Sequence, residues 1–322
     1  MIDFLEQIKK ELDIFNQQFK AALSTKALLL HRITDYLNKS PGKKIRPICT
    51  ILSAGLINNI SDKTYRGAVL VELLHTATLI HDDIVDDAQL RRSALSINTV
   101  WKNKIAVLSG DYFLAKGLKL ALQHLDYDML SLISNVVQEI VEGELMQIEK
   151  TKRLNLKEED FYKIIRLKTG SLFEASFIIG SLNSNVDTKT IDQLKKLGLN
   201  IGLLFQIKDD ILDYTHKSII SGKSFGNDIK EGKINFPLLL SLNKMNVLEK
   251  QQVYRILRSK KTTKQDIYIV YDLIKKYKGI ELAELVVQRY YSESKTILTN
   301  FEQNIYQEVL QSLLDYLIER KK

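Results

Sequence analysis

The stretch GAVLVELLHTATLIHDDIVDD, residues 67–87, places apolar side chains at Val69, Leu73, Leu74, Ala77, Ile80 and Ile84. These lie three or four apart or adjoin such positions, which is the spacing of a helix rather than a strand. The same stretch ends in Asp82, Asp83 and Asp86, a D-D-x-x-D pattern. A second one follows in FQIKDDILDY, residues 205–214, with Asp209, Asp210 and Asp213.

Helical spacing continues through SLISNVVQEIVEGELMQIE, DFYKIIRLKTGSLFEASFII, IDQLKKLGLNIGLLFQIKDDILDY and TNFEQNIYQEVLQSLLDYLIERKK. No Val/Thr/Tyr stretch alternates with period two between turn signals. Only three prolines occur, Pro41, Pro47 and Pro237, so long tracts run without a helix breaker. The fold class is therefore all-α. Neither a linker-like segment nor a solenoid repeat divides the chain. The punctuation falls at NKSPGKKIRP (38–47), at DDAQLRRSALSIN after the first acidic cluster, and at the glycine-rich 216–237. The last is long for a connection in a compact domain, and such loops are often functional.

Two D-D-x-x-D patterns in one chain exceed what composition alone would give. On a helix, Asp82 and Asp86 face the same way, as do Asp209 and Asp213. Like charges at that spacing disfavour the helix and raise one another's pKa, unless a cation is present. Apolar residues flank both clusters, so the carboxylates are expected to project from largely buried helices. Mg²⁺ prefers oxygen ligands and binds through one or two carboxylates plus substrate phosphates. Fixed cations lie near the clusters in sequence: Arg91, Arg92, Lys43, Arg46, Lys168, Lys223 and Lys233. Arginine suits bidentate phosphate contacts and lysine acts as a point charge. Singly each reads as a surface residue; as a set bracketing two acidic motifs they read as an anion site. His75 lies two turns before Asp82, and a core role and a ligand contact are both open to it.

Composition bounds the alternatives. At 322 residues, 45% hydrophobic and 27% charged, the chain is ordinary for a globular protein with a sizeable core. The net charge of +8 permits an anionic partner without identifying one, and no nucleic-acid signature accompanies it. The single cysteine, Cys49, excludes an internal disulfide, and its apolar neighbours predict a buried inert thiol. There is no signal-peptide pattern and no apolar run of the roughly 18–20 residues that span a bilayer, so a cytoplasmic protein is expected.

Taken together these residues resemble the trans-polyprenyl diphosphate synthases, long-chain members such as octaprenyl and heptaprenyl diphosphate synthases included. The first motif with its arginine pair is DDIVDDAQLRR and the second is FQIKDDILD. The G-K-x-x-R-P element is Gly42 to Pro47, the K-T element is Lys168-Thr169, and the glycine-rich loop holds Gly222, Lys223, Gly226, Asp228, Gly232 and Lys233. The resemblance runs colinearly from about residue 40 to 240. It implies a single domain over residues 1–322, an antiparallel helical bundle around a central cavity, usually a homodimer. It also implies Mg²⁺ as cofactor, with isopentenyl diphosphate and an allylic diphosphate as substrates.

Carried over by position, Lys43, Arg46, His75 and Arg92 are the isopentenyl diphosphate site. Arg91, Lys168, Thr169, Gln206, Lys223 and Lys233 are allylic diphosphate contacts. Asp82, Asp86 and Asp209 are the main metal ligands with Asp83, Asp210 and Asp213 nearby, and Asp82, Asp86, Asp209, Lys168 and Lys223 carry catalysis. The chain departs from the family pattern at Ser93-Ala94-Leu95, at Pro41, and at Asn235, where a threonine is common. Ala77 and Thr78, small residues just before Asp82, imply an open tunnel and a long product of the kind used in quinone side chains. A short- or medium-chain synthase is the alternative, and a terpene cyclase, a non-catalytic partner subunit and a nucleic-acid binder are further ones. For the terminal LIERKK two readings stand, a segment that closes over the isopentenyl site and a solvated basic end, with the second preferred.

Overall fold

The structure is a computed structural model that describes residues 3–39, 42–91, 94–182, 185–214, 226–259 and 261–320. It is all-α. The described helices are α1 (Lys9–Leu23), α2 (Leu28–Lys39), α3 (Ile45–Leu56), α4 (Asp62–Val85), α5 (Ile97–Gln123), α6 (Tyr127–Arg153), α7 (Glu158–Ile165), α8 (Ser171–Ser181), α9 (Thr188–Leu212), α10 (Asn227–Lys230), α11 (Phe236–Lys244), α12 (Val247–Leu257), α13 (Lys264–Lys276), α14 (Gly279–Leu298) and α15 (Ile305–Glu319). A 3₁₀ segment, Asp3–Ile8, precedes α1, and a π-helical turn, Arg166–Gly170, follows α7. The stretch after the first acidic cluster is more than a plain loop. It contains a two-residue antiparallel pair, β1 (Leu90–Arg91) and β2 (Ala94–Leu95), with Leu90 opposite Leu95.

Two compact units form. The first comprises Met1–Asn135, Leu172–Gly198 and Asn300–Ser312; the second comprises Val136–Ser171, Leu199–Thr299 and Leu313–Lys322. In the first, α4 packs against α1, α3 and α5. Ala68, Val69, Leu70, Val71, Leu73 and Leu74 are all buried, so α4 is apolar on nearly every side, as a helix at the centre of a unit must be. Phe15, Phe19, Ile33, Ile51 and Phe113 close the core around it. Gly180 permits the close approach of α8 to α3, because a Cβ there would stand 2.5 Å from the Thr50 carbonyl oxygen.

In the second unit α11 packs against α7, α13 and α14. Phe236 stacks on Phe161 at 4.7 Å and meets the edge of Tyr162 at 5.6 Å. Each stacked pair of this kind adds about 0.5–1.5 kcal/mol beyond its area burial. Gly279 starts α14 against α11, where a Cβ would meet the Pro237 carbonyl oxygen at 2.3 Å. Among the described residues no helix is long and apolar enough to cross a membrane.

Candidate active site

Both acidic motifs sit at helix C-termini. α4 ends at Val85, so Asp86 is its C-cap rather than an interior residue, and its N–H donates to the Asp82 carbonyl at 2.9 Å. α9 ends at Leu212 with no basic residue in its last turn, and the Asp213 N–H donates to the Asp209 carbonyl at 3.3 Å. The macrodipole and the unsatisfied last carbonyls make a helix C-terminus favourable to cations and unfavourable to carboxylates. Three aspartates at such an end therefore build a strong cation preference twice over.

The three aspartates of each motif have different tasks. In the first unit Asp82 and Asp86 are half-buried, while Asp83 is buried. Arg91 reaches back from β1 and donates from Nε to Asp83 Oδ1 at 2.8 Å. The same turn is tied down by Asn98, whose Nδ2 donates to the Asp83 carbonyl at 3.2 Å. Arg92 and Ser93 lie outside the described residues.

Two turns further back along α4, His75 Nε2 lies 2.9 Å from Arg46 Nη1, and the Arg46 guanidinium stacks 4.6 Å from the Phe173 ring centroid. Of His75's two readings, the structure shows a side-chain partner. The Lys43-Lys44 pair divides its work. Lys44, at a left-handed φ of 51°, turns its ammonium to Asn16 Oδ1 at 2.8 Å, whereas Lys43 is exposed. Ala77 is 1% exposed and belongs to the core, and Thr78 is half-buried with its hydroxyl donating to the His75 carbonyl at 2.9 Å. A largely apolar pocket opens beside the opposite face of α4, where Glu72, Thr76, Leu79 and Asp83 line it with Tyr36 and Arg91.

In the second unit the assignments are sharper still. Asp210 is buried; its Oδ2 accepts the Phe236 N–H at 3.0 Å and its Oδ1 accepts Gln206 Nε2 at 3.0 Å. Burial pushes its carboxyl well above the usual range, and the nearby Asp228 adds to this against the two hydrogen bonds. The Phe236 N–H is the first orphan donor of α11. Pro237 has no N–H to satisfy, the Leu238 N–H reaches Asn235 Oδ1 at 3.4 Å, and the Leu239 N–H reaches the Asn235 carbonyl at 2.9 Å. The whole N-terminus of α11 is thus accounted for, with a motif aspartate filling one place. Asn235, a departure from the family pattern, is the N-cap of α11. It also links Tyr214 Oη (2.7 Å) to Asp228 Oδ2 (2.8 Å).

Asp213 likewise holds backbone. Its two carboxylate oxygens accept the N–H groups of Asn227 (3.2 Å) and Asp228 (3.3 Å), and its carbonyl accepts the Gly226 N–H at 3.2 Å. Of the second triad, Asp209 has the half-exposed side chain, at 37%.

The π-helical turn carries Lys168 and Thr169. Thr169 donates its hydroxyl to Gln206 Oε1 at 2.9 Å, so a hydrogen-bonded row runs from Thr169 through Gln206 to Asp210. Lys168 is paired with Glu144 and donates to Gln147 Oε1 at 2.9 Å, both on α6. Lys233 is paired with Glu231 at 2.9 Å. Lys223 and Gly222 lie outside the described residues, as does the 215–225 part of the glycine-rich stretch.

Sequence reading missed Glu144, Gln147, Tyr214 and Phe173. It also misread the terminal LIERKK: Arg320 is not solvated but 7% exposed, and lies 2.8 Å from Asp209 Oδ1. A basic run gives no sign of which member will be buried, because that depends on a carboxylate far away in sequence.

Among the described residues no group of three or more His, Cys, Asp or Glu side chains converges to enclose a metal by itself. In each unit the half-buried carboxylates, Asp82 and Asp86 at the end of α4 and Asp209 near the end of α9, are of the donor type suited to a hard divalent cation that takes one or two carboxylates and completes its shell from a phosphate ligand.

Comparisons with known proteins agree with this geometry. Residues 27–274 match the Polyprenyl synthetase family model. The chain is 31% identical over 289 residues to a geranylgeranyl diphosphate synthase of Saccharolobus solfataricus, covering 84% of this chain and 87% of the relative. It is 31% identical over 287 residues to a nonaprenyl diphosphate synthase of Mycobacterium tuberculosis, covering 88% and 85%. A polyprenyl synthase from Caulobacter crescentus, solved in complex with calcium and isoprenyl diphosphate, superposes with a TM-score of 0.93 at 29% identity, covering 100% of this chain and 98% of that one. The chain belongs to the polyprenyl synthetase family and is a prenyltransferase.

Proposed function

We propose that the enzyme condenses isopentenyl diphosphate with an allylic diphosphate, geranyl or farnesyl, to an all-trans polyprenyl diphosphate, with Mg²⁺ as cofactor. The observation that carries this is the division of labour within each triad. Buried or backbone-bound positions hold Asp83, Asp210 and Asp213, while Asp82 and Asp86 are half-buried and Asp209 keeps a 37%-exposed side chain; these three are assigned to the metal–diphosphate. Bound Mg²⁺ supplies charge neutralisation on the leaving diphosphate. Arg91, Lys168 and Lys233, with Lys223, Thr169 and Gln206, are the allylic-side residues. Lys43, Arg46, His75 and Arg92 hold isopentenyl diphosphate.

Arg46 is fixed for this by its stacking on Phe173 and its bond to His75, so little side-chain freedom remains to be lost on binding. The allylic C–O bond ionises and the isopentenyl double bond attacks the resulting carbocation. A proton then leaves to the departing diphosphate. Exclusion of water keeps the cation from being quenched to an alcohol.

The product is a long chain of the quinone side-chain type, supported by the small Thr78 one turn before Asp82. A medium-chain product is the second reading, favoured by the similarity to a geranylgeranyl diphosphate synthase. The enzyme is a cytoplasmic homodimer in this reading. Apolar side chains exposed on α5 (Val107, Leu108) and on α6 (Val141, Leu145) support a partner there. Incubation with labelled isopentenyl diphosphate and farnesyl diphosphate, with and without Mg²⁺, tests the proposal. Mg²⁺-dependent elongation supports it, and chromatography of the dephosphorylated products gives the length. No elongation of farnesyl diphosphate, nor of geranyl diphosphate in a parallel incubation, refutes it.

A further inference from the structure

One arginine is brought to the second acidic motif from the end of α15. The Arg320 guanidinium stacks 4.2 Å from the Phe205 ring centroid, donates through Nη2 to the Phe205 carbonyl at 2.7 Å, and lies 2.8 Å from Asp209 Oδ1. Its side chain is 3% exposed. Its Nε is buried without a hydrogen-bond partner among the described residues. A buried guanidinium with an unfilled donor is costly, so the position is held by the stacking and by Asp209. The carbonyl and the carboxylate belong to residues one turn apart on α9, and the guanidinium spans them.

Asp209 is thereby asked to serve two cations, and this inference rests on the reading that Mg²⁺ and a diphosphate act there. We propose that Arg320 makes divalent-metal loading at Asp209 conditional on a diphosphate. In the protein alone, Arg320 supplies the positive charge that α9's C-terminus and its crowded carboxylates require. A dication on the free oxygen of Asp209 would then stand about 5 Å from the guanidinium. Even at the dielectric constant of water, +1 and +2 charges at that distance repel enough to weaken binding by about tenfold. A diphosphate carries more negative charge than Arg320 carries positive, so it reverses the balance and lets metal and arginine coexist. The order of loading follows from fixed charge, without a moving part.

Equilibrium dialysis of the full chain against Mn²⁺, with and without inorganic pyrophosphate, tests this, since free metal and free chelate equalise across the membrane. The proteins are the natural one, Arg320→Gln and Arg320→Lys. Without pyrophosphate, Arg320→Gln should retain Mn²⁺ at about tenfold lower concentration than the natural protein, and Arg320→Lys should stay near the natural value. With pyrophosphate the gap should close to less than about threefold. Equal retention by the natural protein and Arg320→Gln without pyrophosphate overturns the proposal, as does a gap that pyrophosphate leaves unchanged.

The natural protein alone suffices if Arg320→Gln does not fold: tight Mn²⁺ retention without pyrophosphate also overturns the proposal. Pyrophosphate-dependent retention in every protein, but with no effect of Arg320, refutes this inference and leaves the proposed function standing. No retention with pyrophosphate in any of them refutes both.

Discussion

Replacing Asp210 with alanine should unfold the second motif's support rather than only its chemistry. The carboxylate accepts the Phe236 N–H and Gln206 Nε2, each at 3.0 Å, and Phe236 is fully buried, so no water replaces the lost acceptor. An orphaned buried donor costs about 1–3 kcal/mol, and two give about 2–5 kcal/mol because Gln206 can partly reorient. For a chain of this size that lowers Tm by about 3–7 °C. Asp86→Ala is the contrast. Asp86 is a half-buried helix C-cap with an unfavourable place on the dipole, so its loss should move Tm by less than about 2 °C. Activity should fall on the order of 10²-fold or more in both variants.

A pH series in EDTA adds a second test. Asp210's raised folded pKa means that the folded protein holds a proton that the unfolded chain releases near the usual carboxylate value of 3.8. Stability must then fall as pH rises from there toward the folded pKa, and Asp210→Asn should flatten that slope. The assays are thermal melts by circular dichroism together with product formation. An unchanged Tm in Asp210→Ala, or an equal loss in Asp86→Ala, would refute the division between holding and reacting carboxylates.

Further outcomes follow from the same geometry. Arg46→Gln breaks the contact with His75 and the stacking on Phe173. Its KM for isopentenyl diphosphate should rise at least about tenfold, with a smaller change in the KM for the allylic substrate, in initial-rate kinetics. Thr78→Phe should shorten the product on chromatography of the dephosphorylated chains, while Ala77→Phe should overpack a 1%-exposed core position and lower Tm by several degrees. Cys49, whose thiol burial pushes up to about 12, should not react with a thiol reagent at pH 8 until the protein is unfolded.

The sequence reading and the structure meet and part at identifiable places. The helices follow from periodicity and from sparse proline, and the two acidic patterns are legible because their spacing is local. What the patterns hide is inequality. Asp209, Asp210 and Asp213 are equivalent letters, yet one is half-exposed and two cap other segments, because α10 and α11 begin against them. That information lies in residues 226–238, not in the motif. Lys43 and Lys44 are similarly equivalent as letters, and what draws Lys44 aside is α1, with Asn16 as acceptor and the Phe15 and Phe19 rings under its ammonium. Arg320 was illegible for the plainest reason: its partner is fixed by tertiary packing. The family resemblance, by contrast, was readable because its charged elements are strung along the chain in fixed order.

Asp213 closes a ring. Its carbonyl and both carboxylate oxygens fasten Gly226, Asn227 and Asp228 beside the end of α9, so the two ends of the 215–225 connection are joined at their base. A connection with a stapled base can change length without disturbing what it hangs from. Doubling it adds only about 0.6 kcal/mol of closure entropy. The hold on Gly226, Asn227 and Asp228 is thus set by Asp213 and not by the length of that stretch, so a change of length that keeps Lys223 should leave the base at the end of α9 intact.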